Sequence, residues 1–178
     1  MYFEPYGPFD LRPTLRSHRR TWRSDFWEVV ERKCEGLSKA NGVYIFSLKY
    51  GEKFTPWYVG KTCTDKGFVG EVFQDHKIDH FFAAAERRKG REHLHLIARV
   101  EDRRGKFCGW SGRSEAQIER VETYLIGMAL ARNPSLRNNK KTKFFKALDI
   151  AGVIGPKYSG RPREDARSLK NLLGIALP

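Results

Sequence analysis

Two short runs rich in β-branched and aromatic residues, Val43-Tyr44-Ile45-Phe46-Ser47-Leu48 and Phe54 to Val59, are joined by the polar stretch Lys49 to Lys53. Asn41-Gly42 opens the first run and Gly60 closes the second. Runs of this composition with so short a connection pair as an antiparallel hairpin, and the rest of the chain must be built around it. From Thr14 to Glu35, Trp22, Phe26, Val29 and Val30 recur on one helical face, behind a lead-in whose Pro5, Gly7, Pro8 and Pro13 read as irregular. Phe68, Val69, Val72, Phe73 and Phe81 predict a helix from about Gly67 to Arg88, closed by Lys89-Gly90. His93, His95, Ile97 and Arg99 alternate with Leu94, Leu96, Ala98 and Val100, the period of a third strand. After the polar loop Asp102 to Gly112, Ser114 and Gln117 form a capping-box pattern. Ile118, Val121, Leu125, Met128 and Ala129 make the apolar stripe of that helix and Pro134 stops it. A last short helix from about Pro162 buries Ala166, Leu169 and Leu172. The expectation is an α+β fold with a β-β-α-β-α core and a small antiparallel sheet. It divides as lead-in and basic helix (1–40), core domain (41–140) and basic helical extension (141–178).

Charge narrows the partner. With 40% hydrophobic and 13% aromatic residues the 178-residue chain can bury a core, yet 34 Lys and Arg against 21 Asp and Glu leave it at +13. Such a surplus points to a polyanion, and nucleic acid is the expected partner. Arg19 and Arg20 belong to a run of five arginines between 12 and 23 that holds no acid. Lys140, Lys141 and Lys143 open a basic C-terminal segment, and Ser159-Gly160-Arg161-Pro162-Arg163 has the form of a minor-groove hook. Each run also reads as a solvated face. These flanks suit tracking along a duplex backbone, so DNA is preferred over RNA. The longest apolar run, Tyr124 to Ala131, is too short to span a bilayer, and the N-terminus lacks the basic start and apolar stretch of a signal peptide. Cys34, Cys63 and Cys108 show no paired spacing and read as reduced thiols, so the expected location is the cytoplasm, nucleoid association included.

The hairpin also carries the chemistry. Gly42-Val43-Tyr44 on one strand and Tyr58-Val59-Gly60-Lys61 on the next place two tyrosines where both phenols point into one cleft. The Lys61 ammonium would stabilise a phenolate, and a phenolate accepts a proton from water. An ordinary cross-strand aromatic pair is the other reading. Glu122 has Ile118, Glu119, Leu125 and Ile126 as its helical neighbours, so its charge calls for a distant base or a metal ion, a helix-flank glutamate in water being the other reading. His76 and His80 at i, i+4 lack the H-E-x-x-H spacing of a zinc site, and His93 and His95 share a strand face in a structural role. Val59-Gly60-Lys61-Thr62 is not a phosphate-binding loop, because Thr55 stands where such a loop needs glycine.

From about Asn41 to Asn139 the chain resembles the GIY-YIG nuclease family, with Gly42-Val43-Tyr44 as the first motif and Tyr58-Val59-Gly60 as the second. The resemblance implies a metal-dependent endonuclease that hydrolyses phosphodiester bonds. It would hold one divalent cation, Mg²⁺ or Mn²⁺, on a glutamate of the capped helix. Glu122 matches that place, with Glu119 as the fallback, and Asn138 or Asn139 fits the polar residue near the site. The family's phosphate-gripping arginine has no counterpart, because Glu71 stands at its position. His76 or Lys77, one turn on, are the candidates for the phosphate or acid role. Glu71 as a second metal ligand, a divergent branch and a nucleic-acid-binding module that has lost its chemistry all stay open.

Overall fold

The computed structural model describes residues 2–11, 21–75, 77–78, 88–101, 106–147, 150–153 and 161–174. It divides into two compact units, Met1–Arg137 and Asn138–Pro178. The first unit is α+β around one four-stranded antiparallel sheet: β1 (Tyr2–Asp10), β2 (Gly42–Tyr50), β3 (Lys53–Thr62) and β4 (Arg91–Val100), in the order β1-β4-β2-β3. β2 and β3 form the expected hairpin, with strands longer than the apolar runs and a loop reduced to Gly51-Glu52. Register slips once, between Phe46 and Ser47, where Trp57 is the extra residue on β3. Pro56 is tolerated beside that bulge on an edge strand. Gly42 is required by packing, since a Cβ there would lie 2.0 Å from the Ile97 carbonyl oxygen on β4.

The N-terminal lead-in is not irregular, as its prolines suggest, but forms β1 along β4. β1 is an edge strand with a break in register between Tyr6 and Phe9, so Pro5 and Pro8 remove no interior ladder bonds. α1 (Trp22–Lys33) and a 3₁₀ turn (Leu37–Lys39) follow, while residues 12–20, and with them Arg19 and Arg20, lie outside the described residues. Glu31 joins the two, its carboxylate accepting the Gly36 and Ser38 amides at 2.6 and 2.7 Å. The helix expected from Gly67 to Arg88 is interrupted. α2 (Gly67–Glu71) ends after five residues with Val72 as its C-cap, Phe73 lies in a turn and Gln74 outside the helix, and Asp75, Lys77 and Ile78 are helical again. Val69, Gly70 and Val72 are poor helix formers, which weakens this stretch. The remainder of the expected helix, with His76 and His80, is outside the described residues apart from Arg88, which is not helical.

Strand alternation gives the sheet two faces. Tyr44, Phe46, Leu48, Leu94, Leu96 and Ala98 face α1 and α2, burying Phe26, Trp27, Val30, Phe68, Val72 and Phe73. Edge-to-face aromatic contacts order this core, among them Phe26–Phe73 at 5.0 Å and Trp22–Phe73 at 5.1 Å. Val43 and Val59, fully buried, project to the other face. There α3 (Gly112–Arg132) runs along β3 and reaches β2. It starts one turn before the expected cap: the Ser111 side chain accepts the Ser114 amide at 3.2 Å, and the Ser114 hydroxyl oxygen accepts the Ser111 amide at 2.8 Å. Its buried stripe is Ile118, Ile126, Ala129 and Leu130, so Met128 turns outward at 54% exposure. Asn133 Nδ2 donates to the Pro56 carbonyl at 2.7 Å and the Arg137 amide donates to Trp57 at 2.9 Å, which fastens the end of α3 to β3.

The second unit contains α4 (Thr142–Ala147), which the sequence reading did not anticipate, and α5 (Glu164–Leu172). α5 begins two residues later than expected, with Glu164 and Asp165 at the positive end of its dipole. Ala166 is buried and Leu169 half-buried, but Leu172 is 81% exposed instead of buried. No helix among the described residues is long and apolar enough to cross a membrane.

Candidate active site

Tyr44 on β2 stands directly opposite Gly60 on β3, and the glycine is there because the phenol occupies its side-chain space. A Cβ at position 60 would lie 2.3 Å from Tyr44 Cζ and 2.4 Å from its hydroxyl oxygen. Tyr58, two residues earlier, shares the face, its ring centroid 6.2 Å from that of Tyr44. Phe46 completes the cluster at 5.7 Å from Tyr44 and 6.3 Å from Tyr58. The two tyrosines are thus brought together as their register requires. Tyr44 is fully buried, and the partner its hydroxyl meets is Tyr58, in a hydrogen bond of poor geometry.

Carboxylates from two helices act on these phenols. Burial first, then the neighbouring Tyr58, Glu71 and Glu122, holds the Tyr44 hydroxyl well above the ordinary tyrosine range. Tyr58 is raised by burial and then by Glu122 and Glu71. Glu71 on α2 and Glu122 on α3 therefore both direct negative charge at the hairpin. Lys77 brings the opposite sign: its ammonium lies 5.8 Å from the centre of the Tyr44 ring and pairs with Glu71 Oε1. It also donates to the Glu71 carbonyl at 3.4 Å, while Gln74 Nε2 donates to Glu71 Oε2 at 2.9 Å. Gln74 was missed from sequence, though its place three residues after Glu71 in the stretch expected to be helical is the signal that finds it.

Lys61 is not where the sequence reading needs it. One residue after Gly60, it points to the opposite face of the sheet and sits 3.6 Å from both Glu115 and Glu119 on α3. There it partly offsets burial at the Cys63 thiol, which is still pushed up to about 11. Lys61→Met is accordingly expected to leave the tyrosine titration unmoved in an ultraviolet pH titration. It should cost at most about 1 kcal/mol, because the pair is partly exposed. Glu119, the fallback metal ligand, is engaged by Lys61, whereas Glu122 is the α3 carboxylate felt by both tyrosines.

The remaining candidates are dispersed. Asn138 belongs to the second unit, where its carbonyl accepts the Thr142 hydroxyl at 3.1 Å. In that unit Lys140, Lys143, Arg161 and Arg163 are exposed and Lys141 is half-buried. His93 and His95 are in structural contacts: both rings meet Phe54 edge-on at 5.3 Å, and His95 Nε2 is 3.0 Å from the Ser47 hydroxyl. Among the described residues no three His, Cys, Asp or Glu side chains converge as a ready metal cage. Compared with protein-family models, curated proteins and solved structures, the chain matches none.

Proposed function

We propose that this chain is a divalent-metal-dependent nuclease of GIY-YIG type that hydrolyses phosphodiester bonds of DNA. The observation that carries the reading is Tyr44: a buried phenol seated over a glycine that nothing larger can replace, its hydroxyl coupled to a second tyrosine and in the field of two carboxylates. Mg²⁺ takes one or two carboxylates and keeps several waters, so Glu122, whose charge is felt by both phenols, would hold Mg²⁺ or Mn²⁺ without a protein cage. Bound there, the ion supplies charge stabilisation at the scissile phosphate. Tyr44, in its phenolate form, would take the proton of the attacking water, Tyr58 is coupled to its hydroxyl, and Lys77, 5.8 Å from the Tyr44 ring, is the cation for the phosphate. The net charge of +13 supplies affinity that does not depend on base sequence.

A second reading has its own support. Tyr44 is covered in this conformation and Lys77 is neutralised by Glu71, as expected of a nucleic-acid-binding module without cleavage activity. Supercoiled, linear, branched and single-stranded DNA, incubated with Mg²⁺, Mn²⁺ or EDTA, separate the two. The nuclease yields nicked or cut product only with metal. The module binds without product, and in both cases six phosphate contacts would cost about 10³ in affinity between ~50 and ~200 mM salt. Absence of both cutting and salt-sensitive binding overturns both readings.

A further inference from the structure

We infer that Glu71 occupies the seat that Lys77 and Gln74 offer to a phosphate, so that a phosphodiester enters the site by displacing this carboxylate. The arrangement is that of a bound anion. One carboxylate oxygen meets the Lys77 ammonium and the other accepts from Gln74 Nε2 at 2.9 Å. A phosphodiester presents the same single negative charge on two non-bridging oxygens, so the exchange conserves charge at the seat. Lys77 completes its coordination with the Glu71 carbonyl at 3.4 Å and the face of the Tyr44 ring at 5.8 Å, which puts the seat against the buried phenol.

The pair is a poor choice for stability alone. The side chains are 10% exposed for Lys77 and 22% for Glu71, and an ion pair so far removed from water returns little net energy after desolvation. Its Glu71 member also adds to the negative field that the two tyrosines already feel from Glu122. What it does accomplish is to keep the seat filled, and the ring beneath it covered, until an anion competes. The inference shares the ligand's identity with the nuclease reading, but an arm with inorganic phosphate alone tests the seat apart from nucleic acid.

Wild type, Glu71→Gln, Lys77→Met and the double variant are titrated with a fluorescently labelled DNA duplex in EDTA. In parallel, melting temperature is followed against inorganic phosphate. Glu115→Gln, on the opposite face of the sheet, controls for loss of one negative charge. Glu71→Gln is expected to bind the duplex and phosphate about tenfold more tightly, and Lys77→Met to erase the gain. Glu71→Asp, which keeps the charge and withdraws it by one methylene, should gain in the same direction and serves if Glu71→Gln does not fold. The inference is overturned by no gain in a folded variant, by an equal gain in Glu115→Gln, or by a gain that survives loss of Lys77. A Lys77-dependent gain for phosphate, with no duplex binding by any chain, upholds the seat and removes the nucleic-acid reading.

Discussion

Glu122→Ala and Tyr44→Phe are each expected to reduce the proposed metal-dependent DNA cleavage by about 10²–10³-fold while leaving duplex affinity within about twofold of wild type. The two losses have different origins. Glu122→Ala removes the carboxylate that acts on both phenols, so higher Mn²⁺ should recover part of the rate. Tyr44→Phe removes only the oxygen, and no metal concentration restores it. A pH series distinguishes them further. Tyr44 is held above its ordinary value of 10.0, so only a small fraction is phenolate at neutral pH, and a rate carried by that fraction rises about tenfold per pH unit. The rise should vanish in Tyr44→Phe. Stability follows the same group with the opposite sign. A raised folded-state value leaves its contribution fully present below the unfolded tyrosine value, and stability falls as pH climbs beyond about 10. Equal cleavage by Tyr44→Phe and wild type at pH 7 and pH 9 would eliminate the tyrosine as the base.

Gly60→Ala has the second large effect, and it acts on fold and site together. The added methyl would stand 2.3 Å from Tyr44 Cζ, inside the ring's own volume, so either the phenol leaves its place or the hairpin spreads. Neither route is cheap, because Tyr44 is fully buried and Val59 beside Gly60 is packed on the opposite face. Overpacking of this kind costs about 1–3 kcal/mol, readable as a lowered denaturation midpoint. Pairing it with Tyr44→Ala, which empties the space, should make the two effects strongly non-additive, and a double-mutant cycle measures the coupling. Additive effects would show that the ring and the glycine do not share that space in solution.

The hairpin, the third strand and the long helix were legible because each is written locally. Alternation over Leu94 to Val100 and the runs flanking Gly51-Glu52 need no distant partner to be recognised. β1 was not legible, because Pro5 and Pro8 are breakers by local rule, and only its place at the edge of the sheet makes them harmless. The start of α3 was misplaced by one turn because Ser111 and Ser114 are both capable caps, and hydrogen bonding chooses between them. The same division holds in the site. Tyr44 and Tyr58 share a face by strand period and register, which the residues themselves specify. The face on which Lys61 spends its charge follows from the parity of its position after Gly60 and from where α3 lies.

Glu71 stood out in the sequence as a carboxylate where a phosphate-gripping arginine was expected, and nothing local says what offsets it. The answer lies three and six residues on, at and beyond a break in the helix, where Gln74 and Lys77 turn back to meet both of its oxygens beside Tyr44. Periodicity carries information over a few residues of regular structure, so it names the strands, the helix and the facing tyrosines. Compensation of charge depends on distances through space, so whether a cation here is available or already engaged is set by how the elements pack.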